Sequence, residues 1–145
     1  MRLLLLSLAL AAAPAFAQVK IENAWARATP PGAKIAAGYL TIRNEASAPD
    51  KLVAASSPAA EKVETHVTLK EGDVFRMREV KGYDIPARGS FELKPGGAHL
   101  MLVNIKAPLK EGTRVPLTLR FERAGEVKTE LQVGRLTEAA PKHGH

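Results

Sequence analysis

Cysteine is absent from all 145 residues of this chain. Neither a disulfide nor thiol redox chemistry can therefore contribute to its structure or function. The same absence removes the lipid-acceptor cysteine that a bacterial lipoprotein needs, so we do not expect a lipid anchor. It also excludes a blue-copper electron carrier, because the metal of such a protein is held by two histidines and a thiolate.

Long apolar runs are scarce, and the only marked one stands at the N-terminus. Arg2 precedes the run from residue 3 to residue 13, and Ala15-Phe16-Ala17 gives a small-x-small pattern after it. This arrangement is typical of a secretory signal, and the run is too short to span a bilayer. We expect residues 1–17 to be removed, which leaves 128 residues from Gln18, exported to the periplasm.

Aromatic residues are also few, at 5% of the chain, and the charge is moderately basic. The net charge of +6 becomes +5 without Arg2. No basic run interleaved with aromatic residues is present, so nucleic-acid binding is not expected. A solvated basic surface is the simpler explanation of the charge, and a preference for acidic partners is the alternative.

Short strands separated by turn residues fill the region after the signal, which predicts an all-β sandwich or barrel as a single domain over residues 18–136. No segment has a long helical period, and residues 57–62 are expected to form one helical turn at most. Residues 137–145 are expected to form a flexible tail containing histidine. The predicted strands are 19–27, 38–44, 51–56, 62–69, 74–80, 90–94, 99–106, 114–122 and 127–133.

Methionine and histidine form one spaced constellation within this pattern. His66 is followed by ten residues and Met77, and 21 further residues lead to His99, with Met101 two positions later. Met1 lies in the predicted signal, so both methionines of the mature chain belong to this set. Thioether sulfur and neutral imidazole suit Cu(I), a soft cation that carboxylates bind poorly. The pattern therefore indicates a Cu(I) site.

Hairpin geometry brings the first two of these residues together. If Glu71-Gly72 is a two-residue turn with Lys70 opposite Asp73, His66 lies directly opposite Met77. The alternate positions then face the core, and these are Val63, Val67, Leu69, Val74 and Val80.

His99 and Met101 share one strand face because they are two residues apart, which directs Leu100 and Leu102 into the core. Pro95-Gly96-Gly97 immediately before them places the pair at the start of a strand, at the rim of the domain. A rim position leaves the predicted metal site accessible to a partner protein.

The spacing H-x10-M-x21-H-x-M resembles the copper-binding signature of the periplasmic copper chaperones called PCuAC. Further segments are similar to that family over nearly the whole mature chain. They are Ala24-Trp25-Ala26-Arg27, Pro30-Pro31-Gly32-Ala33, Ala37-Gly38-Tyr39, Asn44 and Pro95-Gly96-Gly97.

The resemblance implies a cupredoxin-like Greek-key β-sandwich that binds one Cu(I) through His66, Met77, His99 and Met101. It also implies that copper is supplied for cytochrome c oxidase assembly, at the CuA centre of subunit II, directly or through a Sco-type thiol protein. Some members carry tails that bind Cu(II), which makes His143 and His145 candidates for a weak secondary site. The expected product is a monomeric metallochaperone and not an enzyme.

Three other functions compete with this one. A copper resistance or storage protein could use the same ligands. A copper oxidase or dismutase is disfavoured because four histidines, two of them in the tail, are too few for a multi-histidine centre. A metal-free adhesive sandwich leaves the spacing unexplained.

Four further residues lie near this set in the sequence pattern. We predict that Trp25 and Tyr39 are core anchors. Glu64 and Glu79 are expected to be solvated or to contact a partner.

Overall fold

In the computed structural model, residues 18–135 are described, and they form an all-β domain. The predicted signal at 1–17, the tail at 137–145 and the candidate ligands His143 and His145 lie outside these residues. No helix within 18–135 is long and apolar enough to cross a membrane. Ten strands follow one another: β1 (Val19–Arg27), β2 (Ile35–Asn44), β3 (Asp50–Ser56), β4 (Ala60–Glu71), β5 (Val74–Glu79), β6 (Tyr83–Ile85), β7 (Ser90–Glu92), β8 (Ala98–Ile105), β9 (Arg114–Phe121) and β10 (Gly125–Gly134).

The strands pair in the order β5-β4-β8-β2-β1-β10-β9-β3-β6. A further pairing of β3 with β4, through Ala55 opposite Val63, closes seven of them into a barrel. Strands β5 and β6 extend beyond the closed part, and β7 pairs with β2. The β1–β10 pairing is parallel, whereas the other described pairings are antiparallel. The predicted all-β barrel is confirmed.

Alternation of apolar and polar residues determines which side of each strand faces the barrel interior. In β9, Val115, Leu117, Leu119 and Phe121 are buried, and the residues between them are partly or fully exposed. Because successive side chains of a strand point to opposite faces, this two-residue period places one apolar row inside. Leu100 and Leu102 of β8 are fully buried in the same core, as predicted.

Residues 57–62 form no helix, which is consistent with the expectation of one helical turn at most, and a turn at residues 58 and 59 leads directly into β4. Two other features of local structure differ from the predictions. Leu69 and Val74 do not reach the core, since they lie at the tip of the β4–β5 hairpin, beyond the barrel, and are 37% and 53% exposed. Strand β6 was not predicted, because its three residues lie between Gly82 and Pro86 and show no resolvable period.

Gly82 is required where the chain turns into β6. Its φ is +98°, and a Cβ atom placed there would lie 2.0 Å from the carbonyl oxygen of Leu52. By contrast, Gly72 has a φ of +61° and open space around its Cα. A side chain at position 82 would meet both backbone strain and a steric clash, whereas one at position 72 would meet backbone strain alone.

We expect Gly82→Ala to lower the free energy of unfolding by about 3 kcal/mol or more, because strain and clash add there. Gly72→Ala serves as the matched control and should cost about 1 kcal/mol, from backbone strain alone. Urea denaturation of both variants measures the difference. Equal losses would show that β6 accommodates a side chain at position 82.

Candidate metal site

The two predicted histidine ligands lie directly opposite each other on neighbouring strands. His66 of β4 pairs with His99 of β8, and their ring centroids are 5.7 Å apart with an interplanar angle of 30°. Both side chains are buried, with residue exposures of 9% and 5%. The structure therefore brings together two imidazoles that are 33 positions apart in the sequence.

Each imidazole uses one ring nitrogen in a hydrogen bond and leaves the other without a partner. His66 Nε2 lies 2.8 Å from Glu64 Oε2, and His99 Nδ1 lies 3.2 Å from the carbonyl oxygen of Gly97. Because both oxygens accept, these nitrogens are the ones that carry a hydrogen. His66 Nδ1 and His99 Nε2 are buried and have no hydrogen-bond partner among the described residues. Two lone pairs are thus available on fixed rings, as in metal-ligating histidines.

Burial favours the neutral form of one of these rings. Desolvation lowers the pKa of His99; the carbonyl of Gly97 opposes this shift and the neighbouring His66 adds to it. Hydrogen bonds from Lys62 and then from His66 lower the pKa of the Glu64 carboxyl. The predicted solvated role of Glu64 is wrong, because its side chain is mostly buried and accepts a hydrogen bond from a candidate ligand.

Met77 reaches the same site by a different register from the predicted one. Glu71 pairs with Val74, so the hairpin turn is Gly72-Asp73, and Met77 lies opposite Thr68. Glu79, not Met77, is opposite His66. The error arose because glycine occupies the first turn position, as a type II′ turn prefers, and not the second. The shift is two residues, so Met77 stays on the predicted strand face.

An open cavity of about 500 Å³ collects three of the four predicted ligands in its wall. His99, Met77 and Met101 line it together with apolar side chains that include Phe75 and Tyr39. Met77 is 60% exposed, whereas Met101 is partly buried between β2 and β4. His66 joins this group through its ring contact with His99. The predicted position of His99 at the start of a strand is confirmed.

Trp25 and Tyr39 are buried, as predicted for core anchors. Their ring centroids lie 4.7 Å apart, and both residues lie outside the main cluster of buried apolar side chains. Tyr39 also lines the cavity with His99 and Met101. Tyr39 of β2 therefore belongs to the surroundings of the candidate site, and Trp25 of β1 packs against it.

Another buried aromatic residue, Tyr83, is hydrogen bonded to the backbone of both histidines. The hydroxyl of Tyr83 lies 2.6 Å from the carbonyl oxygen of His66 and 2.7 Å from that of His99. Sequence reasoning missed Tyr83, and it named Glu64 without its contact to His66. The position of Glu64, two residues before His66 on the same strand face, could have revealed it. Nothing in the local sequence points to Tyr83.

The donors in this site favour a soft cation. In the described part of the chain, no group of three or more His, Cys, Asp or Glu residues could hold a metal ion. Two imidazole nitrogens therefore need the neighbouring thioethers to complete a ligand set. Neutral nitrogen and thioether donors match the preference of Cu(I), and they offer little to Mg²⁺ or Ca²⁺.

Comparison with known proteins agrees with this fold. The model of the family described as "Putative lipoprotein LpqE-like" matches residues 19–133. A protein of Leifsonia xyli subsp. xyli, named "Putative lipoprotein Lxx21020", is 36% identical over 104 residues, which cover 71% of this chain and 61% of that protein.

Solved structures extend the similarity to three dimensions. The copper-bound PCuAC domain from PmoF2 is 30% identical with a TM-score of 0.70, over 81% of this chain and 93% of that domain. The solution structure of the Cu(I) form of DR1885 from Deinococcus radiodurans is 33% identical with a TM-score of 0.65, over 81% and 78%. With a family match over most of its length and these structural neighbours, the chain belongs to the LpqE-like family and has the fold of PCuAC domains.

Proposed function

We propose that this protein is a copper chaperone that holds one Cu(I) ion through His66, His99, Met77 and Met101. The observation that carries the proposal is the pair of buried imidazole nitrogens without described partners, on rings whose centroids lie 5.7 Å apart beside a cavity lined by both thioethers. Copper is the cargo of such a protein and must leave it. Four neutral donors bind Cu(I) without thiolates, so a thiolate-rich acceptor can remove the ion by ligand exchange.

The roles of the surrounding residues follow from their contacts. Glu64 and the Gly97 carbonyl fix the ring tautomers, which directs His66 Nδ1 and His99 Nε2 to the metal. The exposed wall of the cavity, which includes Met77 and Phe75, leaves the site open to an acceptor.

We further propose that the protein acts after export to the periplasm and supplies copper for the CuA centre of cytochrome c oxidase. Its acceptor would be subunit II or a Sco-type thiol protein. The names of the relatives, which call them lipoproteins, support export. A role in copper resistance or storage is the alternative. Deletion should abolish oxidase activity under copper limitation if the protein is a chaperone, and should cause sensitivity to excess copper if it is a storage protein.

Competitive Cu(I) titration of the purified protein, combined with X-ray absorption, tests the binding proposal. We expect one Cu(I) per chain, with two sulfur and one or two nitrogen neighbours. Truncation after Ala140 removes His143 and His145, and it should leave Cu(I) binding intact while it abolishes any weak binding of Cu(II). A spectrum with only nitrogen and oxygen neighbours would remove Met77 and Met101 from the site.

Replacing both methionines by leucine should weaken Cu(I) binding at every pH between 5 and 7, because thioethers do not titrate in this range. Leucine nearly conserves the apolar volume, so the fold should be retained. Phe75→Leu is the matched control, since it changes the same cavity wall without removing a donor atom. If the double variant and the control bind Cu(I) with equal affinity, the thioethers are not ligands.

The lowered pKa of His99 predicts how the stability of the metal-free protein depends on pH. Unfolded chains bind a proton at histidine near pH 6.5, whereas buried His99 binds it only at lower pH. Stability from this residue is therefore fully present above about pH 6.5, and it is lost as the pH falls from there through the folded-state pKa. His99→Gln should remove this part of the pH dependence of urea denaturation. An unchanged profile in the variant would contradict it.

A further inference from the structure

We propose that Tyr83 is a positioning residue of this site. Its hydroxyl, bound to the backbone carbonyls of both His66 and His99, holds the two candidate ligands at a fixed separation. The metal-binding consequence rests on the proposed function, whereas the clamp itself is a property of the metal-free protein. No other described side chain is hydrogen bonded to the backbone of both histidines.

The contact is made by a side chain that comes from a different part of the sheet. Strand β6 pairs with β3, and within the described sheet it pairs with neither β4 nor β8. Tyr83 is 3% exposed, and its hydroxyl approaches the two carbonyl oxygens at 2.6 and 2.7 Å. Both distances lie within the normal range for O–H···O hydrogen bonds. One hydroxyl group therefore connects the two strands at the residue pair that carries the imidazoles.

The chemistry of the hydroxyl suits this role. A phenol is a neutral hydrogen-bond donor near physiological pH. A phenol has a single hydrogen to donate, and two carbonyl oxygens share it here. Because that hydrogen is shared, the hydroxyl interacts favourably with both oxygens only while they stay close together. Separation of β4 from β8 at this point would leave a buried carbonyl with a weaker partner.

Tyr83 is itself held in place by several contacts. Its ring stacks on Phe91, with centroids 4.8 Å apart, and its backbone pairs with Leu52. The N–H group of Gly82 donates to Thr65 Oγ1 at 3.2 Å, which ties the start of β6 to the residue before His66. The steric requirement for glycine at position 82 belongs to the same arrangement. The clamp is thus built on a rigid support, as a preorganised site requires.

The alternative is that Tyr83 merely contributes to stability, as any buried aromatic residue does. Two substitutions separate these roles. Tyr83→Phe removes the hydroxyl and keeps the ring that stacks on Phe91. Phe91→Leu disrupts the stack and keeps the hydroxyl with both of its carbonyl partners. If Tyr83 positions the ligands, only Tyr83→Phe should weaken Cu(I) binding. If its role is purely structural, both variants should lose Cu(I) affinity in proportion to the stability that they lose.

The experiment compares wild type and both variants by Cu(I) competition titration, X-ray absorption and urea denaturation. We expect Tyr83→Phe to weaken Cu(I) binding about tenfold, as loss of an outer-shell contact typically does, and to broaden the Cu–N distance distribution. Phe91→Leu should lower stability at least as much while its Cu(I) affinity stays within about twofold of wild type. Unchanged affinity in Tyr83→Phe, or losses that follow stability in both variants, would overturn the proposal.

NMR of the metal-free proteins separates failure of this proposal from failure of the proposed function. The ring signals of His66 and His99 should broaden by exchange in Tyr83→Phe and stay sharp in Phe91→Leu, whether or not the protein binds copper. If Tyr83→Phe does not fold, fluorotyrosine in a Tyr39→Phe background alters the donor strength of Tyr83 alone, since the chain has two tyrosines. The carbonyl carbon signals of His66 and His99 should then shift together, and a shift of neither would refute the clamp.

Discussion

The pairing of β4 with β8 is the constraint on which the rest of the candidate site depends. It sets His66 opposite His99 on one face while Leu100 and Leu102 fill the barrel on the other. A slip of one residue would exchange the faces, exposing both leucines and burying the imidazoles in the apolar core. Burial of each leucine is worth about 1.5–3 kcal/mol. The hydrophobic core therefore fixes the register that brings the donor atoms together.

Polar contacts then refine a geometry that apolar packing has already selected. Glu64 and the Gly97 carbonyl determine which nitrogen of each ring carries a hydrogen, and the other nitrogen of each ring is buried without a partner among the described residues. Burying a polar atom without a hydrogen-bond partner is costly. Two such nitrogens at one place therefore indicate a functional site more strongly than the presence of histidine alone does. The Glu64 carboxylate is hydrogen bonded to His66, so it orients a candidate ligand and is not itself a proposed ligand.

Parity explains how the sequence could predict the site although one register was wrong. Side chains alternate along a strand, so any even shift of the hairpin leaves Met77 on the face of His66. The position of glycine within the turn determined the register, and the two possible positions looked equivalent in the sequence. The exposure of Leu69 and Val74 could not be predicted, because the hairpin extends past the barrel and no described element covers its tip.

Long-range contacts could not be predicted from the sequence for a different reason. Tyr83 lies in a strand of three residues, too short to show a period, and its hydroxyl meets carbonyls whose own residues give no sign of the contact. Glu64 was visible as a neighbour of His66, but its burial depends on how the two strands around it pack. Which residues share a face of one strand can thus be predicted from the sequence. Contacts between strands that meet only when the barrel closes require the structure.

The parallel contact between the first and last strands has a consequence for folding kinetics. Trp25 of β1 lies opposite Gln132 of β10. The pairing that joins these two strands can therefore form only when the chain from β1 to β10 is complete. Contacts this distant in sequence raise the contact order, which slows folding relative to domains rich in local pairings. Without β10, this edge of β1 has no pairing partner. Completion of the barrel is therefore a late event for each molecule, and it follows synthesis of the last strand.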